Sequence, residues 1–338
     1  MSLLLLNKLL AIFGTVAIGW IAGRARWLSQ PAGGTDPSRL LGNAAFYIFV
    51  PALLFRTTAR LDMAHMPWAA VLAFFVPVVL MLLGVYLVQR YRLRQALAMA
   101  DGRDSAERLA AAPTTQAVTV VFGNAVQVGI PLALALFGEA GLGIHIALVS
   151  LHALVLLTLL TVLVELDLGR ARAAHDASGG LGRMLRSTVR NTVIHPVMLP
   201  VLAGLLWNST GWPLPGALDE TLALLGTAVA PLCLVLIGVT LAYSSVHGLL
   251  GPALVWSALK LVAMPALVLL VAYLGFGLRG LPLQVVVLMA ALPSGSNALI
   301  FAQRYRSQEA TTTATIVLST FGFVLTAPLW LAVLAWLS

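Results

Sequence analysis

Charge is what this sequence has least of. Asp, Glu, Lys and Arg make up 9% of its 338 residues, where a soluble domain carries about 25%. Together with 60% hydrophobic residues, that shortage excludes a soluble globular enzyme of this size. Cysteine is nearly absent as well. Cys233 stands alone in an apolar run, which excludes a disulfide framework and a cysteine-ligated metal cluster. The sequence has no paired intramembrane aspartates, no HExxH stretch and no Ser/His arrangement, so an intramembrane protease would lack its chemistry. It has no GxxxxGK[ST] stretch and no soluble domain to hold a nucleotide. The expectation is therefore no catalytic residue, no metal, no cofactor and no enzymatic activity. The net charge is +8, but the positive residues sit between apolar runs. They bear on membrane topology and do not imply a nucleic-acid partner.

What the chain has is apolar runs of about twenty residues, from end to end. They predict ten membrane spans, at about 3–23, 39–58, 67–89, 115–137, 143–166, 188–207, 218–243, 249–274, 281–303 and 311–336. Met1 to Trp20 reads as a retained first helix, because Lys8 precedes only a moderate run and no small-residue cleavage site follows. The connector 168–187 is basic, contains Gly and Ser, and falls mid-chain. It divides the chain into a first five-helix half, 1–167, and a second, 188–338. Connectors on one side carry 15 arginines, and those on the other carry only Arg56, Arg60 and Arg279. Positive residues favour the cytoplasm, so both termini are expected to face outward. Five crossings per half invert the second half relative to the first. The predicted fold is thus an all-α polytopic membrane protein of two inverted five-helix repeats.

Two of the runs are interrupted. Phe122 to Glu139 reads FGNAVQVGIPLALALFGE, with Gly123, Asn124, Gln127, Gly129 and Pro131 in its first half. Pro131 removes a backbone donor and clashes with the carbonyl four residues earlier. Broken backbone at membrane depth survives only where protein or a watery cavity surrounds it. Ala290 to Arg306, AALPSGSNALIFAQRYR, is similar, with Pro293, Ser294, Gly295, Ser296 and Asn297. These are the fourth and ninth spans, fourth in each half, and with opposite orientation their breaks can cross near the midplane. Paired interrupted segments of this kind point to a transporter binding site. Asn124, Gln127, Ser294, Ser296 and Asn297 can hydrogen-bond a carboxylate, and they can also cap the broken half-helices.

Other polar residues lie within spans. Lys260 is mid-span in the eighth, where an ionisable group is costly unless paired or wet. It reads as an anion-attracting charge or a conformational latch, against a lysine that snorkels to an edge. Asn43, near the start of the second span, is a candidate ligand or an interfacial cap. His145 and His152 share a helical face by their spacing, which suits either a proton relay or satisfied packing, and His195 is similar. Glu165 and Asp167 close the fifth span at its cytoplasmic edge. No cluster of buried carboxylates suggests a sodium site.

Several stretches carry a family resemblance. LGNAAFYIFVPALLF (41–55), GNAVQVGIPLALALFGEAGL (123–142), HPVMLPVLAGLLW (195–207), APLCLVLIGVTLA (230–242) and ALPSGSNALIFAQRYR (291–306) resemble the auxin efflux carrier family. They are most similar to its bacterial members described as malate or malonate permeases, and the resemblance runs over nearly the whole chain. It implies ten helices in two inverted repeats, a scaffold half opposed to a transport half, and crossing broken helices at the substrate site. It also implies a small organic anion as cargo and a homodimer through scaffold helices, and with the charge pattern the expected location is the bacterial inner membrane, both termini periplasmic. Many members have Asn before the proline of the sixth span, where this chain has His195. The long cytoplasmic loop of plant members is absent. The leading functional expectation is a secondary transporter of mono- or dicarboxylates. The alternative is a channel or a non-transporting receptor for a small organic anion.

Overall fold

The computed structural model describes residues 3–28, 37–61, 66–99, 109–175, 196, 198–243 and 249–337. Its elements in chain order are α1 (Leu3–Arg24), α2 (Pro37–Ala59), α3 (Trp68–Met99) and α4 (Ala112–Val121). An extended break and a π turn, Ala125–Gly129, lead to α5 (130–137) and α6 (139–175). Then come α7 (Met198–Ser209), α8 (Gly216–Tyr243), α9 (Leu250–Gly275), α10 (Gly280–Ala291), a second break, α11 (Asn297–Arg304) and α12 (Glu309–Leu337). No strand occurs among the described residues. Six helical stretches are long and apolar enough to cross a membrane: Pro37–Ala59, Trp68–Gln95, Leu132–Ala171, Gly216–Thr240, Leu250–Gly275 and Glu309–Leu337. Met198–Ser209 and Gly280–Ala291 are shorter apolar helices. Leu206, Leu224, Leu274 and Leu325 point outward, exposed, as suits a surface bathed in hydrocarbon.

The prolines explain much of the local irregularity. Proline has no N–H to give the carbonyl four residues earlier. In α9 the turn Leu259–Ala263 widens to π geometry just before Pro265. The carbonyl that Pro265 leaves free, Leu261 O, accepts the Trp330 indole N–H of α12 at 2.8 Å. In α2 the π turn Ala45–Phe49 likewise precedes Pro51. Between α5 and α6 the chain turns on Gly138 alone (φ 63°, ψ −163°), a conformation that side chains disfavour. The fifth span also runs past its expected end near 166, to His175. Its tail, LGRARAAH, is made largely of good helix formers, and Arg170 pairs with Asp167 one turn back at 3.3 Å. Residues 176–187 of the expected linker, His195, and the first part of the expected sixth span lie outside the described residues.

The helices pack in two groups. In one, α1 lies along α8, and α2 lies along α7 and α8. Small residues permit the closest approach: a Cβ on Gly19 would overlap the Val235 backbone, and one on Gly238 would overlap Val16 O. In the other group α3 packs on α4, α9 on α10 and α12, and α10 on α6 and α12. The two broken segments lie where the groups meet.

Candidate functional site

The chain is broken at Phe122–Asn124 and again at Leu292–Ser296, and the two breaks touch. Gly123 and Ser294 form an isolated antiparallel bridge. Asn124 N–H donates to Pro293 O at 2.8 Å, and Gly295 N–H donates to Phe122 O at 2.7 Å. Each break thus satisfies backbone groups that the other leaves orphaned. Gly295 is what allows the approach, since a Cβ there would lie 2.8 Å from Gly123 O.

The half-helices that end at the crossing present carbonyls there, the negative ends of their dipoles. Both receive donors from elsewhere in the fold. Lys260, fully buried on α9, donates from Nζ to Ala290 O at 2.7 Å, in the last turn of α10. Ser294 Oγ donates to Thr119 O at 2.8 Å, near the end of α4. Ser319 of α12 accepts Ser294 N–H at 3.1 Å. Lys260 therefore does not snorkel. Its ammonium stabilises a helix end and is absent from the walls of the cavities described next.

A cavity of about 130 Å³ lies against the crossing. That is roughly ten times the space one ordered water needs. Its walls include Leu53, Leu54, Thr57 and Thr58 of α2, Val149, Ser150 and His152 of α6, Gly226 and Val229 of α8, and residues of both breaks. Asn124, Ser296, Asn297 and His152 are among its polar lining. Thr57, Thr58 and Ser150 also line it, but each hydroxyl gives its proton to a carbonyl of its own helix. The side-chain amides of Asn124 and Asn297 have no hydrogen-bond partner among the described residues, and neither Asn124 nor Ser296 caps a helix through its side chain. A second, more apolar cavity lies between α1, α8 and α12, and Asn124 belongs to its wall as well.

The remaining sequence candidates fall as follows. Pro293 contributes its carbonyl to the crossing, and Ser294 is fully engaged in it. The backbones of Gln127 and Pro131 lie in the π turn and at the start of α5, and their side chains are outside the described residues. Asn43 is exposed on α2, away from both cavities. His145 is buried with Nε2 2.9 Å from Ala125 O, which fixes the π turn. Glu165 and Asp167 are buried and engaged, the first by Tyr305 and the second by Tyr86, Arg90 and Arg170. Sequence reasoning missed Thr57, Thr58 and Ser150 on the cavity wall. It also missed Thr119, whose hydroxyl lies 3.1 Å from that of Thr312 behind the crossing. Hydroxyls within apolar helices were the only signal of them, and their own carbonyls satisfy most.

The profile of a family described as membrane transport protein matches residues 4–331. The chain belongs to this family, that of the auxin efflux carriers. Auxin efflux carrier component 8 of Arabidopsis thaliana is 25% identical over 251 residues, 63% of this chain and 67% of that one. A Rhizobium meliloti (strain 1021) protein provisionally named a malonate transporter is 26% identical over 332 residues, covering 94% of this chain and 92% of that one. The uncharacterized transporter YfdV of Escherichia coli (strain K12) is 36% identical over 138 residues, 40% of this chain, and the chain spans only 43% of that relative. The six helices long and apolar enough to cross a membrane accord with membership of the auxin efflux carrier family. The stitched crossing and the cavity beside it are the features of this family member that bear on its function.

Proposed function

We propose that the protein is a secondary carrier of small organic anions, mono- or dicarboxylates, and that the crossing is its substrate site. The observation that carries this reading is the Asn124 amide, buried at the crossing, facing a cavity and unpaired among the described residues. Asn297 offers a second amide, and the start of α11 offers the positive end of a helix dipole on the same wall. Malonate is the first substrate to try, given the name of the Rhizobium relative.

Alternating access between two inverted five-helix repeats accords with the packing. The contact of α1 with α8 has its counterpart in that of α7 with α2, and α3 on α4 has its counterpart in α9 on α10. On this reading α1, α2, α7 and α8 are the scaffold and the other group moves. The first cavity lies toward the outer ends of α2 and α8. At the cytoplasmic ends α11 is closed against the same two helices. Gln303 Nε2 donates to Thr240 Oγ1 at 3.2 Å, and the Arg304 guanidinium lies 5.2 Å from the Phe46 ring centre and 5.4 Å from that of Tyr47. These contacts suit an outward-facing state. Counterflow in proteoliposomes tests the reading. Internal malonate should accelerate entry of labelled malonate, whereas flux that does not saturate would indicate a channel, and binding without flux a receptor.

A further inference from the structure

We infer that His152 takes up a proton as an anion enters the outer cavity, so that the two cross together. The inference rests on the reading of that cavity as the anion site, and names its coupling ion.

His152 is 3% exposed and lines the cavity. Its ring is held against Phe122, with centroids 4.4 Å apart, and lies 6.0 Å from Phe74. Phe122 is the first residue of the first break, so the imidazole stands beside the crossing. It has no hydrogen-bond partner among the described residues, although His145 on the same helix is bonded to Ala125 O. A buried imidazole without a protein partner is costly and unusual in a carrier core. The cavity gives it something to meet.

The charge around the cavity sharpens the point. Among its described lining residues there is no Lys, Arg, Asp or Glu, and His152 is the one titratable side chain. The walls from α2, α8 and both breaks contribute none. The charged or titratable groups that act on the ring from nearby are Lys260 of α9 and His145 of its own helix. Lys260 is committed to Ala290 O and His145 to the π turn. An anion in this cavity finds amides but no fixed cation on the wall, and a bare charge at membrane depth is costly. His152 can supply the missing charge. A protonated ring near Lys260 is repelled by it unless an anion offsets the two, so proton and anion arrive as a pair. The proton comes from the water bathing the cavity, adds to a free ring nitrogen as the carboxylate binds, and leaves with the anion on the other side. No bond within the anion changes.

The test is calorimetry of malonate binding to the purified full-length protein, in buffers of different ionisation enthalpy, from about pH 6 to about pH 8. Wild type should take up a proton on binding in the upper part of that range. Its affinity there should fall by up to about tenfold per pH unit. His152→Gln, which keeps an N–H donor but does not titrate, should bind with no proton uptake and a flat pH profile. Malonate binding to wild type without proton uptake overturns the inference while leaving the carrier reading intact, and needs no variant. Full pH dependence in a folded His152→Gln protein also overturns it. No malonate binding to wild type at any pH overturns both readings for this anion.

Discussion

Asn124 and Lys260 are both polar and both buried at the crossing, yet their situations are opposite. An unpaired buried polar group costs about 1–3 kcal/mol, and a hydrogen bond to a charged partner returns about 1.5–3 kcal/mol. Asn124, whose side-chain amide has no partner among the described residues, would on the proposed reading gain one when a carboxylate arrives. Asn124→Ala should therefore weaken malonate binding by roughly ten- to a hundredfold. Asn297→Ala should weaken it too, and the double variant should lose less than the sum if both amides hold one ligand. Calorimetry on variants with wild-type size-exclusion profiles decides this, and wild-type affinity in both single variants would remove the crossing as the binding site. Lys260 already has its partner in Ala290 O. Lys260→Met should orphan that carbonyl and cost about 1–3 kcal/mol, seen as a lower melting midpoint in detergent with no ligand present. An unchanged midpoint would mean that the helix end does not depend on the ammonium.

Among the elements, α11 is the one whose contacts would divide open from closed in the mechanism proposed above. A Cβ on Gly42 of α2 would overlap Gln303 Oε1. Gly42→Ala should therefore loosen the seam that joins α11 to α2 and α8, and favour the inward-facing arrangement. A cysteine at Leu234, on the wall of the second cavity, reports on it in a Cys233→Ala background. Its labelling by a polar maleimide from the cytoplasmic side should rise with Gly42→Ala, and equal labelling would rule out the seam as a gate. Neither partner of this seam was legible in the sequence, because a helical repeat says which residues share a face and nothing about what that face meets. The breaks were legible, since proline, glycine and amide side chains rarely gather in an apolar run unless the helix is interrupted there. Lys260 was legible as a buried charge, but its acceptor lies 30 residues away on another helix. His152 could be assigned to a face, while the cavity on that face exists only once α2, α6 and α8 have come together.

For the whole molecule, arginine asymmetry carries the orientation. Reporter fusions after Ala174 should read as cytoplasmic and fusions after Ser209 as external, from the excess of 15 arginines over 3. A cytoplasmic signal at Ser209 would overturn the orientation and the inverted repeats together. Asn124 has a further meaning at this scale. It belongs to the walls of both cavities, so on the proposed reading cargo arriving from either compartment would meet the same amide. A donor shared in this way gives neither side a private affinity. Uptake and release are then a single reversible reaction, and the sign of net flow is left to the concentrations and voltage that the cell maintains.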